Sequence, residues 1–160
     1  MRRAAWSRTL FLGMALCAGA ALAQTERESE LTLWRDGDAG EALEIRGRVV
    51  DPSGRGIAGA MLSVRQADGT GVYSSQYRGQ LRTDASGHYV LRTAMPGNYM
   101  GVRHIHVDVE GDGFAPISTQ ILFRGDPNLE PDAQGGAIVL ERTNVEGRDL
   151  LTGRFDIKLE

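Results

Sequence analysis

Two histidines stand two residues apart in the stretch His104-Ile105-His106-Val107-Asp108-Val109. On a strand, successive side chains alternate between two faces. Ile105, Val107 and Val109 would then point into a core, and His104, His106 and Asp108 would share the other face. Two imidazoles so placed can converge on one metal ion. They can also be hydrogen-bonded surface groups, and the spacing alone leaves both readings open. Nor does it choose the metal, because zinc, copper and iron all accept imidazole. The third histidine, His88, follows Gly87 in a turn and reads as the solvent-exposed start of a strand.

Tyrosines come next. Tyr73 closes Gln66-Ala67-Asp68-Gly69-Thr70-Gly71-Val72-Tyr73, and Tyr99 closes Pro96-Gly97-Asn98-Tyr99. Both follow turn-forming residues, which sets them at loop ends. A free phenol ionises near pH ~10. The charge of a hard trivalent cation reverses that preference and favours phenolate. Tyrosine with histidine therefore suits iron(III), although either tyrosine alone reads more readily as a packed strand-end aromatic. Nothing local marks Tyr77 or Tyr89 as a ligand, and Tyr89 alternates with Leu91 as a core residue would.

These side chains need a scaffold, and the chain reads as short alternating runs between turn residues. Strands are expected over 43–50, 60–67, 88–93, 104–109, 117–123, 137–142 and 155–159, and no segment holds a helical period. The glycines, 21 in all, fall mostly at turns. The fold class is therefore all-β: a single β-sandwich of about seven to eight strands with a loop-borne metal site. The segment between Tyr73 and Arg78 reads as a short loop that leaves the pocket open. Arg124-Gly125-Asp126, Gly111-Asp112-Gly113 and Asp36-Gly37-Asp38 read as turns, the last two lacking the ligand count of a calcium loop.

The N-terminus has a different character. Arg2, Arg3 and Arg8 precede an apolar stretch from Leu10 to Leu22, and Ala21-Leu22-Ala23 is a small-x-small cleavage signal. Residues 1–23 are expected to be a secretory signal, 24–40 a polar, flexible or draped arm, and 41–160 the β-sandwich domain. The mature protein would then be exported, periplasmic or extracellular, with no membrane span. It would keep no cysteine, since Cys17 leaves with the signal, so disulfides and thiolate metal sites are not expected. The whole chain carries a net charge of −3, and without Arg2, Arg3 and Arg8 it carries −6. No basic stripe favours a nucleic-acid partner.

Taken in order, these pieces resemble the catalytic sandwich of the intradiol ring-cleavage dioxygenase family. The resemblance runs from Gly47 to Pro127. It rests on Gly47-Arg48-Val49-Val50-Asp51, Gln66-Ala67-Asp68, Gly71-Val72-Tyr73, Arg82-Thr83-Asp84, Gly87-His88-Tyr89, Pro96-Gly97-Asn98-Tyr99, His104-Ile105-His106 and the run from Thr119 to Pro127. It is closer to the protocatechuate 3,4-dioxygenase-like sandwich than to the catechol-specific branch. The resemblance implies a non-haem Fe(III) held by Tyr73 and His104 as equatorial ligands and by Tyr99 and His106 as axial ones. It implies a catechol or protocatechuate-like aromatic and dioxygen as partners, and ring cleavage between the two hydroxylated carbons to a muconate-type diacid. Tyr99 would be displaced by substrate and accept a proton from it. Gln120 matches an active-site glutamine of the family. Where the family has an arginine three residues before the first histidine, this chain has Gly101, and the nearest candidate for that role is Arg103. Arg65 replaces the aromatic often found before Gln-Ala-Asp.

Two other readings share many of these pieces. A non-catalytic β-sandwich module also carries Gly-x-Val-x-Asp and Pro-Gly-x-Tyr patterns. A degenerate family member would bind iron or catechols without turnover. The His104-x-His106 pair and the 119–127 segment separate the enzyme from the structural module, which has no need of them.

Overall fold

The computed structural model describes residues 28–98 and 101–160. The expected signal segment 1–23 and Tyr99 therefore lie outside the described residues. Among the described residues, ten strands form two sheets packed face to face, so the expected all-β sandwich is observed. In chain order they are β1 (Glu30–Thr32), β2 (Ala42–Val50), β3 (Met61–Ala67), β4 (Tyr73–Arg82), β5 (His88–Ala94), β6 (His104–Glu110), β7 (Ile117–Leu122), β8 (Leu140–Val145), β9 (Arg148–Arg154) and β10 (Ile157–Lys158). One sheet runs β1-β5-β2-β9-β8 with β10 also on β2, and the other runs β4-β3-β6-β7.

Alternation explains the core. Along β6, Ile105, Val107 and Val109 are buried while His104, His106 and Asp108 lie half-buried on the other face. Leu62, Val64 and Gln66 of β3 turn inward beside them, against Leu43, Ile45 and Val49 of β2 and Leu91 of β5. Burying so many aliphatic side chains supplies most of the drive to fold, at roughly 1.5–3 kcal/mol per residue. Tyr77 and Tyr89 are core residues. The Tyr77 hydroxyl donates to Asp38 Oδ2, and the Tyr89 hydroxyl to the Phe155 carbonyl at 2.6 Å. His88 starts β5 with its side chain exposed, as expected.

Three strands depart from the sequence reading. The 24–40 segment is no loose arm over its described part: β1 pairs in parallel with β5, Glu30 opposite Val90, and Leu31 packs on Gly79. Residues 73–78 are not a loop but the start of β4, which shows few apolar positions because only Tyr77 and Leu81 are buried along it. Residues 143–154 form a hairpin, with Val145 paired to Arg148 across Glu146-Gly147. Both turn residues have positive φ, 52° and 82°, the signature of a type I′ turn. Glutamate is an uncommon choice there, so the turn left little trace in the sequence.

One buried polar side chain joins the sheets. Gln66 is wholly buried; its Nε2 donates to the carbonyls of Ala67 and Ala94, and its Oε1 accepts from Thr93 Oγ1. Replacing Gln66 with Leu strips two carbonyls and a hydroxyl of a buried partner. The expected loss is about 2–4 kcal/mol of unfolding free energy, measured by urea denaturation.

Candidate functional site

The outer face of the β4-β3-β6-β7 sheet carries the site. His104 and His106 are held by two antiparallel neighbours: His106 lies opposite Arg65 of β3 and Gln120 of β7, and His104 opposite Leu122. Cross-strand partners share a face, so Gln120 stands beside His106. The two imidazoles meet edge to face with ring centres 4.7 Å apart, and their Nε2 atoms are 3.1 Å apart. Two imidazole nitrogens each about 2.1 Å from one ion, at right angles, lie about 3 Å apart.

The protonation pattern suits that arrangement. His104 Nδ1 lies 2.8 Å from the Val102 carbonyl, which only accepts, so the proton sits on Nδ1. In the neutral ring Nε2 then presents a lone pair, the orientation typical of a metal-ligating histidine. Burial, the Arg65 guanidinium and His104 together lower the His106 pKa, against an opposing pull from Asp108. His106 is therefore neutral at pH 7 and can offer a lone pair as well. Among the described residues no third His, Cys, Asp or Glu completes a metal-binding cluster. Any further donor among the described residues is of another type.

Tyr73 is the expected phenol donor, and the structure places it on the same sheet. It pairs with Ala67 at the head of β4, one step along β3 from Gln66, which pairs with Ile105. That sets Tyr73 across β3 at the level of His104. Its position depends on the preceding turn. Asp68 Oδ1 accepts from Thr70 N, Thr70 Oγ1 and Val72 N, and the Asp68 carbonyl accepts from Gly71 N and Gly97 N. The hydroxyl of Thr70, then the Val72 amide, hold the Asp68 carboxylate in its charged form and lower its pKa. A Cβ on Gly97 would come 2.3 Å from Gly71 N, and one on Gly71 would come 2.6 Å from the Asn98 carbonyl. The loops that precede Tyr73 and Tyr99 are thus packed backbone to backbone, which brings Asn98, the neighbour of Tyr99, against Gly71.

Beyond Tyr73, β4 makes an excursion. Arg65 pairs with Arg78 and Ala67 with Tyr73, so residues 74–77 face Gln66 alone. Asp38 Oδ2 holds this excursion by accepting from Gln76 Nε2 at 2.7 Å and from the Tyr77 hydroxyl at 2.9 Å. The polar segment before the sandwich therefore helps to set where β4 begins.

Arg103 does not turn toward the histidines. Its backbone N and Nε donate to Asp126 Oδ2 at 3.1 and 3.0 Å, and the Asp126 side chain is fully buried. Asp126 Oδ1 also accepts from Asn128 N. Arg103 thus fixes the entry to β6 against the 125–128 turn. Burial opposes the charge on Asp126, but the Asn128 amide and Arg103 outweigh it and hold the carboxyl below its ordinary range. The sequence reading took Asp126 only as part of a turn, and nothing local in it revealed the partner 23 residues away.

Residues 17–103 match a family model described as "Dioxygenase". Among curated relatives, chlorocatechol 1,2-dioxygenase of Pseudomonas putida is 31% identical over 155 residues, covering 78% of this chain and 60% of the relative. The protocatechuate 3,4-dioxygenase beta chain of Burkholderia cepacia is 30% identical over 140 residues, covering 74% of this chain and 57% of the relative. The chain thus spans about three-fifths of these relatives. Among solved structures, the dioxygenase domain of a dioxygenase carbohydrate-binding protein fusion from Streptomyces sp. SirexAA-E aligns with TM-score 0.65 and 28% identity, over 82% of this chain and 86% of that one. Catechol 1,2-dioxygenase from Pseudomonas arvilla C-1 shares the fold, with TM-score 0.73 at 23% identity, over 82% of this chain and 56% of that one.

Because its charge depends on buried partners, Asp126 makes folding pH-dependent. Its pKa is lowered on folding, so its contribution is complete above the unfolded carboxylate value near ~4 and fades as pH falls through the folded value. Asp126→Asn is expected to unfold at lower urea than the parent at pH 7, and the gap should narrow only below about pH 4. A gap that is unchanged at pH 3 would mean that the charge is not what matters.

Proposed function

Since the chain belongs to the intradiol ring-cleavage dioxygenase family, we propose that it is a non-haem iron(III) dioxygenase. It cleaves a catechol-type ring between its two hydroxylated carbons, with dioxygen, to a muconate-type diacid. The observation that carries this reading is the His104–His106 pair, with Nε2 atoms 3.1 Å apart and the His104 proton committed to a carbonyl. Among the described residues no carboxylate or thiolate joins the two histidines in a metal-binding cluster, and phenolate donors favour a trivalent ion.

His104 and His106 would hold the metal from β6, Tyr73 from the head of β4 and Tyr99 from its loop. Bound iron(III) supplies the Lewis acidity that favours phenolate over phenol and activates a chelated catechol toward dioxygen. The chain does the rest. Tyr99 accepts a substrate hydroxyl proton at its phenolate oxygen. The Gln120 amide, opposite His106, hydrogen-bonds the reacting oxygens and orients the ring. The Val102 carbonyl holds the His104 imidazole in the tautomer that donates through Nε2.

Export belongs to the same proposal. It is supported by the basic start, the apolar run and Ala21-Leu22-Ala23. Among the described residues no helix is long and apolar enough to cross a membrane.

The iron-loaded protein is expected to show a broad, intense visible band from tyrosinate bound to iron(III), and the band should shift when catechol is added under nitrogen. His104→Ala should lose iron while its circular dichroism stays that of the parent. Tyr99→Phe should retain much of its iron yet turn over more slowly, by roughly 10²-fold or more if the lost proton acceptor dominates. A colourless protein that holds no iron would instead point to the non-catalytic sandwich module.

A further inference from the structure

Two arginines extend the row of side chains that begins at His106. Arg65 of β3 lies opposite His106 on one side and Arg78 of β4 on the other. Cross-strand partners share a face, so Arg78, Arg65, His106 and Gln120 form one row across the outer surface of the sheet. Both arginines are exposed, and among the described residues neither makes an ion pair or a side-chain hydrogen bond, whereas Arg46, Arg55, Arg92, Arg103, Arg142, Arg148 and Arg154 all pair with an acid.

Like charges directly opposite each other on neighbouring strands destabilise a sheet. This pair therefore costs stability with no structural return. It also borders a groove of about 490 Å³ that Ser63, Gly79, Gln80 and Asp108 help to line. Asp108 sits one outward position farther along β6 than His106, where Ser118 Oγ donates to it at 2.6 Å. Two guanidinium groups thus face one already engaged carboxylate, which leaves the groove short of an anion. Guanidinium is the group best suited to bind a carboxylate through paired hydrogen bonds.

We infer that Arg65 and Arg78 form an anion-binding subsite beside His106 that takes the carboxylate of a carboxylated catechol-type substrate. This rests on reading His104 and His106 as the catalytic centre. The ring would then lie with its hydroxyls toward the histidines and its acid group toward β4. The two arginines set substrate class, and they act on affinity for the acid group without touching the reacting carbons.

The test compares 3,4-dihydroxybenzoate with catechol, which differ only in the carboxylate, on iron-loaded parent protein and on R65Q/R78Q. Dissociation constants are read from the visible band under nitrogen. The parent should bind the acid roughly tenfold more tightly than catechol, as expected for a hydrogen bond to a charged group. R65Q/R78Q should lose that preference, read as the ratio of the two dissociation constants, and added salt should weaken the preference in the parent. A parent without the preference, or a variant that keeps it, overturns the subsite. A second readout needs no iron: in the metal-free protein, 4-hydroxybenzoate but not phenol should shift the Arg65 and Arg78 Nε–H resonances. If those resonances move while the protein forms no iron band, the subsite stands and the dioxygenase reading falls. If catechol shifts the band and the arginine resonances stay still, the dioxygenase reading stands and the subsite falls.

Discussion

The site depends on one buried amide. Gln66 sits directly behind the outer face that carries Tyr73 and the histidines, since Arg65 before it opposes His106 and Ala67 after it opposes Tyr73. Its side chain reaches the other way, through the sandwich to Ala94 and Thr93 at the end of β5. A fully satisfied polar group in an apolar core specifies one arrangement, because any shift of register leaves its donors and acceptors unmet. The same contact ties the end of β5, and so the start of the 95–98 loop, to the strand beneath the histidines. Aliphatic packing supplies the bulk of the stability, but it would tolerate small slips between the sheets. The amide does not tolerate them.

From that anchor, positioning passes through backbone contacts. Asp68 follows Gln66 by two residues and organises the turn to Tyr73 with its carboxylate, while its carbonyl holds Gly97. The glycines at 69, 71 and 97 are needed for space: a Cβ at any of them would lie within 2.6 Å of a neighbouring backbone atom. On the far side of β6, Arg103 and Asp126 close the entry to the strand. The histidines are thus carried by β6 and Tyr73 by the head of β4, just after a turn that is packed against the 96–98 loop. Strand-borne donors gain rigidity from two flanking ladders.

Much of this was legible in the sequence where a rule of spacing applies. The alternation of His104 to Val109 foretold which side chains face outward, and turn residues marked most strand ends. What escaped lacked a local signal. β4 has only two buried apolar side chains, Tyr77 and Leu81, so it reads as loop. The 143–154 hairpin hides behind a Glu-Gly turn, and β1 is only three residues long. Arg103 was legible as the arginine nearest His104 but not as the partner of Asp126, because that pairing depends on β6 lying next to the 125–128 turn. Arg65 showed only as a replaced aromatic. Its place opposite both His106 and Arg78 follows from register, which no single strand reveals.

Charge gives the last step. The chain is acidic overall, with a net charge of −3, so its general field repels an anionic substrate. Among the described residues, seven of the thirteen arginines pair with an acid, Arg92 with both Glu30 and Glu44. Positive potential therefore survives where a guanidinium lacks an acid, and at the site that means Arg65 and Arg78. A local cationic pair in an acidic surround concentrates selectivity at one place: an anion gains little until its charged group reaches the row that ends at His106. After burial, Arg65 also lowers the His106 pKa, because a nearby positive charge disfavours imidazolium. Recognition of the acid group and readiness of the imidazole to donate thus come from the same outward-facing row of side chains, and Arg65 serves both.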